Sequence, residues 1–248
     1  MKLAVTGKGG VGKTTISALL IQHFAGKGRN VIAVDADPDA NLSSALGFEG
    51  AHSIVPIAEM EKLIEERTGA KPGDSGSFFK INPKVDDLPE KLSFVKDNIR
   101  LMVMGKGPKS GGCYCPESAL LKSLISHLVF YEDDVVVMDM EAGIEHLGRG
   151  TASAVDVFII VVEPGKRSLE TAESIRKLAS QLGIKKVVVV GNKIRGEKDE
   201  VFIKENIPWA DLIGFIPYDQ NFIDADIKGG FAANEFSDKI ENIIANIN

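Results

Sequence analysis

Cysteine is scarce: two residues in 248. That excludes a disulfide framework, so a hydrophobic core must hold the fold. Positive charge is in the minority, 29 Lys and Arg against 35 Asp and Glu, for a formal net charge of −6. No global basic field therefore advertises nucleic acid or an acidic membrane. Long apolar runs are missing. Val157–Val162 is typical of the longest and falls far short of the roughly 18 residues a membrane span needs. Met1 and Lys2 lead straight into a strand pattern with no export signal, which makes the cytoplasm the expected compartment. No repeat, low-complexity tract or composition shift divides the chain, so one domain over residues 1–248 is expected. What is present is ordinary globular material, 44% hydrophobic and 26% charged. At this length one core can bury roughly three quarters of the unfolded surface.

The hydrophobic pattern alternates between short β-rich runs and longer amphipathic stretches. Strands are predicted at Lys2–Thr6, Asn30–Val34, Ile99–Met104, Asp133–Asp139, Val157–Val162, Lys186–Val190 and Leu212–Ile216. Helices are predicted at Lys13–Lys27, Ile57–Glu66, Glu117–Phe130, Ser168–Leu182, Asp199–Glu205 and Glu235–Asn246. The valine-rich runs are apolar on both faces, as in strands covered on both sides. The expected fold is α/β, a mostly parallel sheet flanked by helices. Thr68–Leu92 lacks a clear period and is expected to run over the surface as a long excursion.

The strongest motif is the run from Gly7 through Lys8, Gly9, Gly10, Val11, Gly12, Lys13 and Thr14 to Thr15. It matches the phosphate-binding pattern G-x-x-x-x-G-K-[ST] between a strand and a helix. Glycines let successive N–H groups turn inward around phosphate oxygens, and the helix N-terminus faces the anion. Lys13 would neutralise the β- and γ-phosphates of ATP, and the Thr14 hydroxyl would ligate Mg²⁺. Lys8 goes beyond the basic pattern. On its own it is also readable as a solvated loop lysine. With it, the loop resembles the deviant Walker A motif of the SIMIBI-class ATPases, which include the MinD and ParA proteins and the nitrogenase iron protein. The resemblance implies a lysine that reaches the nucleotide of the other subunit in a homodimer.

Two predicted strands end in acids, where ligands bind in open α/β sheets. Asp35 is followed by Asp37, Pro38, Asp39 and Asn41, a D-P-x-x-N-L sequence that resembles the family's switch I. The resemblance implies that Asp37 orients or deprotonates the attacking water, that Asn41 pairs near the phosphates and that Asp35 braces the Mg²⁺ shell. Asp39 is left as a possible cap of the next helical turn. Val135–Met138 leads into Asp139, a Walker-B arrangement whose carboxylate fixes the water shell of Mg²⁺. Glu141, Gly143 and His146 follow in a stretch that resembles switch II. Toward the C-terminus, Asn192 and Pro217 stand where the family reads adenine. Asn192 also suits a left-handed turn after Gly191.

Cys113 and Cys115 flank one tyrosine, after Gly111 and Gly112 and before Pro116. In extended backbone such residues face the same way. A helix N-terminus just beyond favours thiolate. Metal binding, burial as small hydrophobes and a redox disulfide are all readable here, the last through a strained ring. One chain supplies half a tetrahedral S₄ site, and a two-fold axis would complete it. The segment G-G-C-Y-C-P-E, together with D-M-E-A-G-I-E-H-L-G-R-G-T, resembles the CooC family of nickel-insertion ATPases over essentially the whole chain. That resemblance implies hydrolysis of ATP to ADP, Ni²⁺ as cargo at a C-x-C site shared across the dimer, and Zn²⁺ able to take the same site. It implies Ni-Fe carbon monoxide dehydrogenase or acetyl-CoA synthase as the client. The alternative is a MinD- or ParA-like positioning ATPase. Against it, the stretch Phe236–Asn248 lacks the Lys- and Arg-rich face of a membrane-binding helix, so neither membrane nor nucleic acid is expected as a partner.

Overall fold

The computed structural model describes residues 1–72, 78–105, 115–142, 149–221 and 236–247. The seven predicted strands become β1 (Lys2–Gly7), β2 (Val31–Ala36), β4 (Ile99–Val103), β5 (Val135–Met140), β6 (Val157–Val162), β7 (Val187–Ile194) and β8 (Asp211–Pro217), and an unpredicted β3 (Phe94–Lys96) joins them. They form one sheet in the order β3-β4-β2-β5-β1-β6-β7-β8. All described pairings are parallel except β3 with β4. The α/β architecture read from the sequence is the one observed.

Strand periodicity sends alternate side chains to opposite faces, and both faces are buried. On one face Ala4, Ile32, Val136, Phe158 and Val189 pack against α5 (Pro116–Tyr131), α7 (Lys166–Leu182) and α8 (Glu197–Asn206). On the other, Leu3, Val31, Val137, Ile159 and Val188 pack against α1 (Lys13–Gly26) and the helix Ser237–Ile247. Each fully buried aliphatic side chain contributes about 1.5–3 kcal/mol relative to exposure. Helix α1 packs on β1, β2 and β5, with the short helix Leu42–Ala45 and Ser237–Ile247, itself seated on β8, against its flanks, which explains why Ile16, Ala18, Leu19, Leu20 and Ile21 are all buried.

Among the described residues, four short helices carry the connections: α2 (Leu42–Ala45), α3 (Glu61–Thr68), α4 (Leu88–Leu92) and α6 (Arg149–Ser153). The helix predicted at Ile57–Glu66 is broken at Met60, whose ψ of 72° separates a 3₁₀ turn at Ile57–Glu59 from α3. The segment predicted to run over the surface is in part a core element. Val85 and Leu88 are buried in the main apolar cluster. Arg67 on α3 grips Asp87 through two hydrogen bonds of 2.8 Å, a fork geometry that fixes direction as well as distance. Among the described residues no helix is long and apolar enough to cross a membrane.

Candidate nucleotide-binding site

The carboxyl ends of β1, β2 and β5 meet at the centre of the sheet, where Asp35 of β2 and Asp139 of β5 are register partners. From β1 the chain turns through the glycine loop into α1. Gly10 and Gly12 sit at φ 80° and 93°, in the left-handed region that L residues with a side chain avoid. Gly12 is the N-cap of α1 and supplies no side-chain cap, and the first turn carries no acid. The first N–H groups of the helix are thus left for an anion. The loop borders a cavity of about 670 Å³, lined also by Thr14, Thr15, Asp37, Asn41, Glu141 and Lys193.

Lys13 is buried, and its ammonium lies 3.2 Å from Asp37 Oδ2. The switch I carboxylate and the loop lysine, 24 residues apart in sequence, are therefore in direct contact. The Thr14 hydroxyl donates to Asp139 Oδ2 at 2.6 Å, and the Ser17 hydroxyl donates to Oδ1 at 3.3 Å. Ser17 carries no motif signal because it falls outside the pattern, though its place three residues after Thr14 puts both hydroxyls on one helix face. Asp35 is fully buried and accepts the Leu42 N–H at 2.9 Å, so it also fixes the start of α2. Burial, then the neighbouring charge of Asp139, pushes the Asp35 carboxyl up to about 7. Burial likewise pushes Asp139 up to about 6, against the Thr14 hydroxyl and the Lys13 charge. The Asp139 carboxyl bonded to the Thr14 hydroxyl, with Asp35 in register beside it, is a hard-oxygen donor set, which fits Mg²⁺.

Asn41 and Asp39 are exposed, and Asn41 caps α2 without a side-chain hydrogen bond. The Asp39 N–H donates to Asp37 Oδ1 at 3.1 Å, which makes a tight local turn. The Val11 N–H donates to the Lys8 carbonyl at 3.3 Å. Asn192 is buried, and its amide donates to the Val11 carbonyl at 2.8 Å, bracing the loop from behind. The left-handed residue is its neighbour Lys193, at φ 59°. Pro217 ends β8 beside Ile194. Neither Asn192 nor Pro217 lines the cavity. Lys193 and Glu163, to which the sequence assigned no role, meet at 3.1 Å beside the loop.

Of the two cysteines, Cys113 lies outside the described residues, as do Gly143 and His146. Cys115 is the N-cap of α5, and its Sγ accepts the Ser118 N–H at 3.4 Å. The expectation that the helix N-terminus favours thiolate meets an opposing effect. The thiol is half-buried, and burial, joined by the neighbouring Glu117, pushes its pKa up against the pull of the Ser118 hydrogen bonds. Cys115 borders a separate cavity of about 500 Å³ with Ile81, Ser118, His127 and Tyr131. Among the described residues no group of three or more His, Cys, Asp or Glu side chains is placed to hold a metal ion.

This loop, paired with acids at adjacent strand ends, defines a P-loop nucleotide-binding protein. Residues 2–230 match the CobQ/CobB/MinD/ParA nucleotide binding domain, and the chain belongs to that family, the SIMIBI-class ATPases that its loop resembles. The carbon monoxide dehydrogenase accessory protein CooC of Rhodospirillum rubrum is 47% identical over 92% of this chain and 88% of its own length. An uncharacterized ATP-binding protein of Methanocaldococcus jannaschii is 50% identical over 92% and 90%. Among solved structures, a chain of the MinC:MinD cell division protein complex of Aquifex aeolicus superposes with a TM-score of 0.69 at 23% identity, covering 100% and 95% of the two chains. That last likeness speaks to the fold.

Proposed function

We propose that this chain is an ATP-hydrolysing maturation factor that delivers nickel to a Ni-Fe carbon monoxide dehydrogenase or acetyl-CoA synthase, working as a nucleotide-bridged homodimer. The observation that carries the reading is the near-full-length similarity to a carbon monoxide dehydrogenase accessory protein. The pair Cys113 and Cys115, leading into α5, supports it.

Water attacks the γ-phosphorus of ATP, the bond to the β-γ bridging oxygen breaks, and ADP and phosphate leave. Lys13 gives its charge to the β- and γ-phosphates, which requires it to share or leave Asp37. Asp37, 3.2 Å from that lysine, is then placed to orient the water or take its proton. The partner subunit contributes its copy of Lys8 to the charge building on the transferred phosphoryl group. Thr14 and Asp139 hold Mg²⁺, which supplies further positive charge when bound. Asn192 Oδ1 and the backbone near Pro217 read the adenine. The chain has two thiols, so a four-sulfur site for Ni²⁺, or for Zn²⁺ in its place, takes two chains. The cytoplasm is the compartment this reading implies.

Metal content measured against mass by light scattering, over a Ni²⁺ titration, tests the reading. One Ni²⁺ per dimer is expected, with metal promoting dimerisation by mass action, and Cys115→Ala should abolish both while leaving ATP hydrolysis. One metal per monomer with no change in mass would overturn the shared site.

A further inference from the structure

We propose that Lys193 is a positioning residue for Lys8, acting through the Gly10–Val11 peptide, with Glu163 as the counter-ion that holds it in place. The inference rests on the reading above, in which Lys8 serves hydrolysis in the dimer.

Lys193 occupies a left-handed backbone conformation, φ 59°, which an L residue keeps only where its surroundings impose it. It falls where the pairing of β7 with β8 slips register between Gly191 and Ile194. That slip lets two consecutive residues reach two consecutive carbonyls of the phosphate loop. Asn192 donates to the Val11 carbonyl at 2.8 Å, and the Lys193 ammonium donates to the Gly10 carbonyl at 2.5 Å. A trans peptide is planar, with its C=O and the following N–H pointing opposite ways. Fixing the Gly10 carbonyl from one side therefore aims the Val11 N–H to the other, where it meets the Lys8 carbonyl. That bond is 3.3 Å, beyond the usual range, and weak on its own. A cation on the carbonyl end of the same peptide polarises it and strengthens the donor. The turn that carries Lys8 is thus closed by Lys193.

The anchor behind Lys193 is tied to α7 through the Glu163 backbone. Its ammonium is 3.1 Å from Glu163 Oε2. The Glu163 N–H donates at 3.0 Å to the hydroxyl of Ser168, a buried residue of α7. Two devices divide the loop. Asn192 sets the peptide after Val11, next to the Lys13 helix, and Lys193 sets the peptide before it, next to Lys8. Nucleotide binding should depend on the first, and use of Lys8 on the second.

The test compares Lys193→Met, Lys193→Arg, Glu163→Gln and Lys8→Ala in the full chain. ATP affinity is followed by a fluorescent ATP analogue, with steady-state kcat and KM, and mass by light scattering with ATP. Lys193→Met should keep nucleotide affinity within about threefold, while kcat and ATP-driven dimerisation fall about 10- to 100-fold, the scale of a lost charge-assisted hydrogen bond that misplaces a reacting group. Lys193→Arg should recover most of the loss, and Glu163→Gln should show the same pattern more weakly. Adding Lys193→Met to Lys8→Ala should cost little more, because both act through one lysine. A rise in KM at unchanged kcat in Lys193→Met would make Lys193 a nucleotide ligand and overturn the proposal. Wild-type kcat in both Lys193→Met and Glu163→Gln, with Lys8→Ala inactive, would overturn it while the role of Lys8 stood. Wild-type turnover in Lys8→Ala would remove both.

Discussion

A methyl group at Gly12 tests how the phosphate loop is held, because the geometry gives two separate penalties there. At φ 93° any L residue costs about 1–2 kcal/mol of backbone strain. A Cβ would also sit 2.2 Å from Asn192 Nδ2, closer than atoms can approach, so the amide must leave the Val11 carbonyl it meets at 2.8 Å. Stranding a buried amide adds about 1–3 kcal/mol. Gly12→Ala should therefore lose about 2–5 kcal/mol in urea unfolding. Gly10→Ala meets the strain alone, since φ is 80° and no atom lies within 4 Å of its Cβ, and should lose about 1–2 kcal/mol. Gly9→Ala meets neither and should stay within about 0.5 kcal/mol of wild type. Asn192→Ala combined with Gly12→Ala should lose less than the two single changes together, as one removes what the other strikes. If Gly12→Ala unfolds no more readily than Gly10→Ala, the Asn192 brace is not what shapes the loop.

Lys13→Ala should reduce ATP binding below detection in a calorimetric titration, since it removes the buried cation at the loop and leaves Asp37 unpaired. Asp37→Asn should bind ATP and dimerise, yet hydrolyse about 10²–10⁴ times more slowly, the usual cost of losing a positioned base. Unchanged steady-state turnover would move that role elsewhere. In chelator-treated protein, stability should fall as pH rises from about 4 toward 7. The folded chain keeps protons on Asp35 and Asp139, raised to about 7 and about 6, that the unfolded chain has released. Each such group contributes a slope of about 1.4 kcal/mol per pH unit. Asp35→Asn should flatten that dependence in urea midpoints measured across the range, and an unaltered slope would show that these carboxyls do not titrate there.

Long apolar runs with clear punctuation were legible. The run Val135–Met138 and its terminal Asp139 could be read as a strand end with an acid because buried valines leave little else to form. The glycine loop was legible for the same kind of local reason. β3 was not: Phe94, Val95 and Lys96 are all exposed, so the sequence carries no inside-outside alternation to find. β2 runs two residues past its predicted end because Asp35 and Ala36 still pair with β5, a fact of the neighbour strand and not of the local sequence. The same limit hid Lys193. Its partner Gly10 is 183 residues away, and only the register slip in β7 turns its side chain toward the loop. At Cys115 the local signal, a helix N-terminus, was read correctly, but burial of the thiol by the fold works against it.

The sheet order has a consequence for how the molecule comes into being. β1 is the earliest strand to be made, yet its two neighbours are β5 and β6. Lys2 pairs with Val136 and Leu3 with Val157. At typical synthesis speeds, on the order of ten seconds pass before either neighbour emerges from the ribosome. Until then the apolar residues Leu3, Ala4 and Val5 have no neighbouring strand to join, and α1 lacks β5, one of the strands it packs on. Contacts this distant along the chain close slowly. The phosphate loop, joined to that central strand, is made well before β5 and β6 and acquires its shape only after them, so a nascent chain cut short before β5 carries the whole motif without the means to bind a nucleotide.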